Sequence, residues 1–212
     1  MEFKEYKVEE FLNDLASSSP SPGGGSVAGL VSALAASLNS MVYSLTVNKK
    51  AFEKMEMEEK KLVLDYKEAS DRFIKKSIDS MEKDREAFNK LMDCYKLPKD
   101  TEEEVTYRNK AIAEKTIGAM MAPYQLAKEA YNFYDNIDVA VKYGNKMLLS
   151  DAICAAILLS AAIESSIENV KINLASIKNK DYAKKVDNEM KEIYTKSIER
   201  KQKILIDAAN RM

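Results

Sequence analysis

Apolar residues recur along this chain at steps of three and four, and nowhere do apolar and polar residues alternate for long enough to suggest a strand. Val8 to Ala16 reads as a short first helix with Phe11, Leu12 and Leu15 on one side. Ser17 to Gly25 is a loop, rich in Ser, Pro and Gly, the residues that interrupt regular structure. Ser26 to about Thr46 is a helix of another kind, because no charged residue lies between Asp14 and Lys49. A helix without a charged face has nowhere to meet water, so it belongs in the middle of a bundle.

From about Lys54 to Tyr95 the pattern is long and amphipathic, with Tyr66, Phe73, Ile74, Ile78, Met81, Phe88, Leu91 and Tyr95 along one stripe. Leu97-Pro98 ends it, since a residue before proline is pushed out of the helical region. Thr101 followed three residues later by Glu104 is a capping-box signature that opens the next helix. Pro123 interrupts that helix as a kink or a break, and Gly144 ends it in the manner of a left-handed C-terminal cap. Ser150 is the expected N-cap of a second core helix, uncharged from Ala152 to Ile163. A last amphipathic helix runs from about Asp181 to Asn210. With no repeat and no linker visible, the reading is all-α: one domain over residues 1–212, a multihelical bundle around a buried central helix.

Composition narrows the chemistry. The chain carries 33 basic and 34 acidic residues, intermixed, for a formal net charge of -1, and no basic stripe interleaved with aromatics. Nucleic acid is therefore not an expected partner. There is no histidine, and Cys94 and Cys154 are the only cysteines, so neither a nitrogen/sulfur zinc site nor a Ser-His or Cys-His nucleophile is available. Acid–base work falls to Asp, Glu, Lys, Tyr or Cys. The charged N-terminal stretch is unlike a signal peptide, and Val27 to Leu45 is interrupted by serines, Asn39 and Tyr43. The expectation is a cytoplasmic protein with reduced thiols and no membrane partner.

Two features stand out as candidate chemistry. Gly23, Gly24 and Gly25 precede the uncharged helix, in neither GxGxxG nor GxxxxGK[ST] spacing. They either let that helix start close beside a neighbour or leave unpaired N–H groups facing a ligand. Asp84 shares a face with Met81, Phe88, Leu91 and Tyr95, where an unpaired carboxylate is costly. It must pair with a lysine or border a pocket. Asp151 serves the helix dipole or a site, and Lys49 marks either the exit of the buried helix into water or a functional group.

The segments FLNDLASSSPSPGGGSVAGLVSALAASLNSMVYSLTVNKKAF, DREAFNKLMDCYKLPKDTEEEVTYRNKAI, YGNKMLLSDAICAA and ENVKINL resemble, in order, blocks of the tetrahydrofolate cyclodeaminase/cyclohydrolase family. The resemblance spans about Phe11 to Leu174, with Asn48 where the family has glycine before the lysine and Met147 where it has a polar residue. It implies a helical bundle, a homodimer, and action on one-carbon derivatives of tetrahydrofolate without metal or other cofactor. By motif match it implies catalytic roles for Asp84, Lys49 and Asp151, with Gly23, Gly24, Gly25, Ser26 and Asn145 binding substrate. In that scheme Asp84 stabilises a cation or orients water, Lys49 takes a proton, and Asp151 holds pterin nitrogens. The expected reaction is hydrolysis of 5,10-methenyltetrahydrofolate, slightly favoured because no formiminotransferase domain accompanies the chain. The alternatives are release of ammonia from 5-formiminotetrahydrofolate and a non-catalytic helical dimer.

Overall fold

The computed structural model describes residues 1–212, which form seven helices and no strand. In chain order these are α1 (Val8–Leu15), α2 (Gly24–Ser44), α3 (Lys50–Glu53), α4 (Met57–Tyr95), α5 (Glu102–Tyr143), α6 (Leu149–Leu174) and α7 (Lys180–Ala209). Short 3-10 turns at Phe3–Glu5 and Lys146–Leu148 precede α1 and α6.

The uncharged helix α2 is the axis of the bundle. Contacts between Gly25 and Asp84 at one end, and Ser40 and Asp71 further along, show α4 running antiparallel to it. Helix α6 is also antiparallel, with Asn169 beside Gly24 and Asn145 bonded to Thr46. Helix α5 runs alongside in the same direction as α2, and α7 packs on the outside of α5 and α6. The face that α2 turns inward is built of Ala28, Gly29, Ser32, Ala33, Ala35 and Ala36, all buried. Small side chains let the neighbouring backbone come close: a Cβ on Gly29 would lie 2.8 Å from Met81 Cγ and 2.9 Å from the Ser77 carbonyl oxygen.

Midway along α2 the core is polar. Asn136 Oδ1 accepts from Asn39 Nδ2 (2.7 Å) and from Ser70 Oγ (3.1 Å), and its Nδ2 donates to the Tyr66 carbonyl (2.8 Å). Tyr43 Oη donates to the Asn136 carbonyl at 2.6 Å, and burial pushes the Tyr43 hydroxyl far above its ordinary range. This network ties α2, α4 and α5 at one height, so a slip of any of them would strand buried polar groups. Its loose end is Asn39 Oδ1, buried without a donor.

Of the two readings of Pro123, a kink or a break, the break is excluded: α5 continues through it for 42 residues, packed against α4 and α6. Two other local expectations are corrected. Gly144 is extended (φ -66°, ψ 161°), not left-handed; it is glycine because a Cβ there would collide with the Ala140 carbonyl and Val42. Ser150 lies inside α6, whose N-cap is Leu148; the side-chain cap sits earlier, where Asn145 Oδ1 accepts from the Met147 N–H at 3.1 Å. The Thr101–Glu104 capping box forms as expected.

Candidate functional site

The glycines and the aspartate come together at the N-terminal end of α2. Helix α2 starts at Gly24, two residues before the sequence pattern suggests, so Gly24, Gly25 and Ser26 form its first turn. The backbone N–H groups of a first turn have no partner within their own helix. Asp84, on α4, points its carboxylate at that turn. It occupies the space a Cβ would need on Gly25, so any side chain there would displace it. The two readings of the glycines are thus one arrangement: close packing is what brings an anion against the helix N-terminus.

Asp84 has no lysine or arginine partner. Ser26 Oγ donates to its Oδ2 at 3.2 Å while also lying 3.3 Å from the Met81 carbonyl. Burial raises the Asp84 carboxyl above its ordinary value, opposed only by hydrogen bonds from the Ser26 hydroxyl and backbone. A carboxylate held among apolar groups with neutral donors alone is the arrangement that favours the proton, or a cation brought from outside.

Such a cation has room. A cleft of about 340 Å³ opens beside Asp84, between α2, α4, α5 and α6. Pro20, Ser21 and the three glycines form one wall, and Phe88, Leu91, Met92 and Tyr95 extend from Asp84 along α4. Thr116, Ala119 and Pro123 come from α5, and Asn169, Ile172 and Asn173 from α6. Pro123 has no N–H to give the Ala119 carbonyl, so that helical bond is missing where both residues border the cleft. Phe88 and Tyr95 belong to the stripe visible in sequence. Pro123 is visible in sequence only as a helix interruption, and Asn169, Ile172 and Asn173 only as part of the ENVKINL segment that resembles the family; nothing in their local pattern gives any of them a place in a site.

Lys49, Asn145 and Asp151 lie at the other end. Helix α2 has 21 residues, which separates its ends by about 30 Å. Lys49 is exposed in the short connection after α2, and Asn145 receives its position from the Thr46 hydroxyl, which accepts from the Asn145 N–H at 2.9 Å. Both border a second, open cavity of about 570 Å³, with Lys142, Lys146 and Arg211, where Glu59 is the one acidic residue. Asp151 is half-buried in the first turn of α6, at the same end and on no cavity wall described above. Within one chain, then, Asp84, Gly23, Gly24, Gly25 and Ser26 form one group and Lys49, Asn145 and Asp151 another.

Comparison with known proteins agrees on the kind of protein this arrangement belongs to. Residues 7–192 match the family described as formiminotransferase-cyclodeaminase. A methenyltetrahydrofolate cyclohydrolase of Methylorubrum extorquens is 32% identical over 176 residues, covering 83% of each chain. The formimidoyltransferase-cyclodeaminase of Gallus gallus is 30% identical over 172 residues, but the match covers 81% of this chain and only 31% of that longer protein. Among solved structures, the formiminotetrahydrofolate cyclodeaminase of Thermotoga maritima superposes with a TM-score of 0.65 at 29% identity, over 99% of this chain and 97% of the other.

Proposed function

The chain belongs to the formiminotransferase-cyclodeaminase family, and from that premise we propose that it hydrolyses 5,10-methenyltetrahydrofolate to 10-formyltetrahydrofolate. The observation that carries this reading is Asp84: a half-buried carboxylate with no cationic partner, on the wall of a cleft open to solvent. The methenyl group is a cation shared between N5 and N10, and it supplies the charge that the protein withholds. A helical dimer without activity would have closed this space or paired this acid.

Water adds to the bridging carbon and loses a proton, giving a neutral carbinolamine. The bond from that carbon to N5 then breaks, N5 gains a proton as the hydroxyl loses one, and the formyl group stays on N10. Asp84 stabilises the cation before attack and orients the water, and the first-turn N–H groups of α2 that Asp84 does not take would meet oxygen that gains negative character. The steps require no metal or redox cofactor.

We assign the protein to the cytoplasm as a homodimer. Val27, Val31, Leu34, Leu38, Met41 and Leu45 follow a heptad spacing on and just after α2, with Leu34 48% and Leu45 44% exposed and the other four half-buried. Ile157, 46% exposed, and the exposed Cys154 continue this face on α6. Both helices are long and apolar enough to cross a membrane, but the charged helices α4 and α5 pack directly on α2, so a second protein copy is the better cover. Two α2 helices crossing antiparallel about Leu34 would carry the Lys49 and Asn145 end of one chain to the Asp84 cleft of its partner. Lys49, out of reach as a base within its own chain, then becomes available. Mixing the inactive variants Asp84→Asn and Lys49→Gln tests this: restored turnover at roughly a quarter of wild type is expected from random pairing. No restoration, with exchange of subunits demonstrated, overturns the shared site.

A second reading is favoured by one observation. The Thermotoga protein matches this chain over nearly its whole length and bears the cyclodeaminase name, so the length of the match does not separate the two reactions. Loss of the ultraviolet absorbance of methenyltetrahydrofolate, run beside ammonia release from 5-formiminotetrahydrofolate, decides between them. Neither activity would end the folate reading.

A further inference from the structure

We propose that Asn169 and Asn173 recognise the exocyclic 2-amino group of the substrate's pterin ring, a role that rests on the folate reading above and takes over what the sequence assigned to Asp151. Both side chains line the Asp84 cleft from α6. Their amides are oriented by the helix they stand on. Asn169 Nδ2 donates to the Ser165 carbonyl at 2.8 Å, and Asn173 Nδ2 donates to the Asn169 carbonyl at 2.9 Å, each four residues back. With one N–H of each amide so engaged, the carbonyl oxygen is left as the acceptor available to a ligand. Neither Oδ1 has a donor in the protein, and neither is sealed from solvent.

The cleft therefore offers acceptors one helical turn apart, on the wall where α6 meets the first turn of α2. Cβ atoms at i and i+4 stand about 5–6 Å apart, which lets the two amide oxygens reach one shared group. Two acceptors sharing one planar NH2 group, each at about 2.9 Å and diverging by about 120°, are separated by about 5 Å. The match is to an amino group with two hydrogens to give, which the pterin carries at C2. Gly24 belongs to the same device: a Cβ there would lie 2.9 Å from Asn169 Nδ2 and 3.2 Å from its Oδ1, so only glycine leaves this amide its place. With the 2-amino group fixed on α6, the opposite side of the bicyclic ring faces across the cleft toward Asp84 and the aromatic side chains of α4.

The experiment compares two ligands by calorimetry on the full chain: 5-formyltetrahydrofolate and its analogue lacking the 2-amino group. Wild type is expected to prefer the amino compound by about tenfold or more, the value of losing paired hydrogen bonds in a half-buried site. Asn169→Ala and Asn173→Ala, which suit a helix and leave no acceptor, should erase most of that preference while binding the analogue as wild type does. Asn169→Asp and Asn173→Asp, which keep an acceptor, should retain the preference. If the alanine variants weaken both ligands equally and keep the preference, the two residues merely shape the wall and the proposal is wrong. Wild type binding both ligands equally well also overturns it while leaving the folate reading intact. Wild type binding neither overturns both.

Discussion

Asn136 and Asp84 are both polar side chains directed at α2 from a neighbouring helix, and their surroundings are opposite. Asn136, at mid-height, has both ends of its amide engaged, and even its backbone carbonyl takes a hydrogen bond from Tyr43. Asp84, at the helix end, carries a charge when ionised and finds only a serine to answer it. A buried polar group that is saturated holds helices in register, whereas one left wanting beside an open cleft is held ready for a ligand. The same helix supports both, because its small residues bring its neighbours close at mid-height while its N-terminal end borders a cleft.

The largest effect should come from the unsatisfied member. Asp84→Asn keeps shape and removes the charge, so turnover should fall at least about 100-fold. Its melting temperature at neutral pH should equal or exceed that of wild type, since a desolvated charge is removed. An activity within severalfold of wild type would break the comparison. Asn136→Ala should behave in the reverse sense: stability falls by about 2–3 kcal/mol as Asn39, Ser70 and the Tyr66 carbonyl lose their partner. For a chain of this size that is a drop of roughly 5–10 °C in melting temperature. Turnover per folded molecule should be unchanged, and calorimetry with an activity titration reads both.

A smaller and sharper effect belongs to Gly25→Ala. Alanine is the better helix former by about 1 kcal/mol, so the fold should tolerate it. Its methyl group, however, claims the space of the Asp84 carboxylate. Turnover should drop about tenfold or more with little change in unfolding temperature. The corresponding Gly23→Ala, where a Cβ meets nothing within 4 Å, should leave the Asp84 carboxylate in place, so any effect it has on turnover comes from the cleft wall and not from that acid.

These residues also show what a one-dimensional reading can reach. Charge-free stretches identify α2 and α6 because burial excludes charge along a whole helix, and Thr101 with Glu104 is legible because a cap is a local event. Asp84 is legible because one acid in an apolar stripe violates the pattern. The placement of Lys49 about 30 Å from Asp84 is not, since motif order says nothing of which helix ends meet. Asn169 and Asn173 stand in the ENVKINL segment that resembles the family, yet no role is legible for them there. They stand where α6 regains polar residues on leaving the core, and only the packing of α6 on Gly24 distinguishes them from solvated surface.

The smallest effect is a dependence of stability on pH that only the site should show. The folded-state value of Asp84 lies above the ordinary 3.8, mainly through burial. Between the unfolded and folded values the native chain holds the proton that the unfolded chain has released, so stability falls as pH rises through that window. The sign is opposite to that of a salt-bridged carboxylate such as Asp71, which Ser40 and Lys67 hold below its ordinary value and which loses stability as pH falls. The difference in unfolding free energy between Asp84→Asn and wild type should therefore grow as pH climbs above about 4 and then level off once Asp84 is fully ionised. Turnover should rise over the same window, because the cation is met by the ionised form. Denaturant titrations of the two proteins across this range, beside the acid limb of the rate profile, put one group behind both curves. A difference that is flat with pH would mean that Asp84 is solvated in the folded chain, and the contrast with Asn136 would then lose its physical basis.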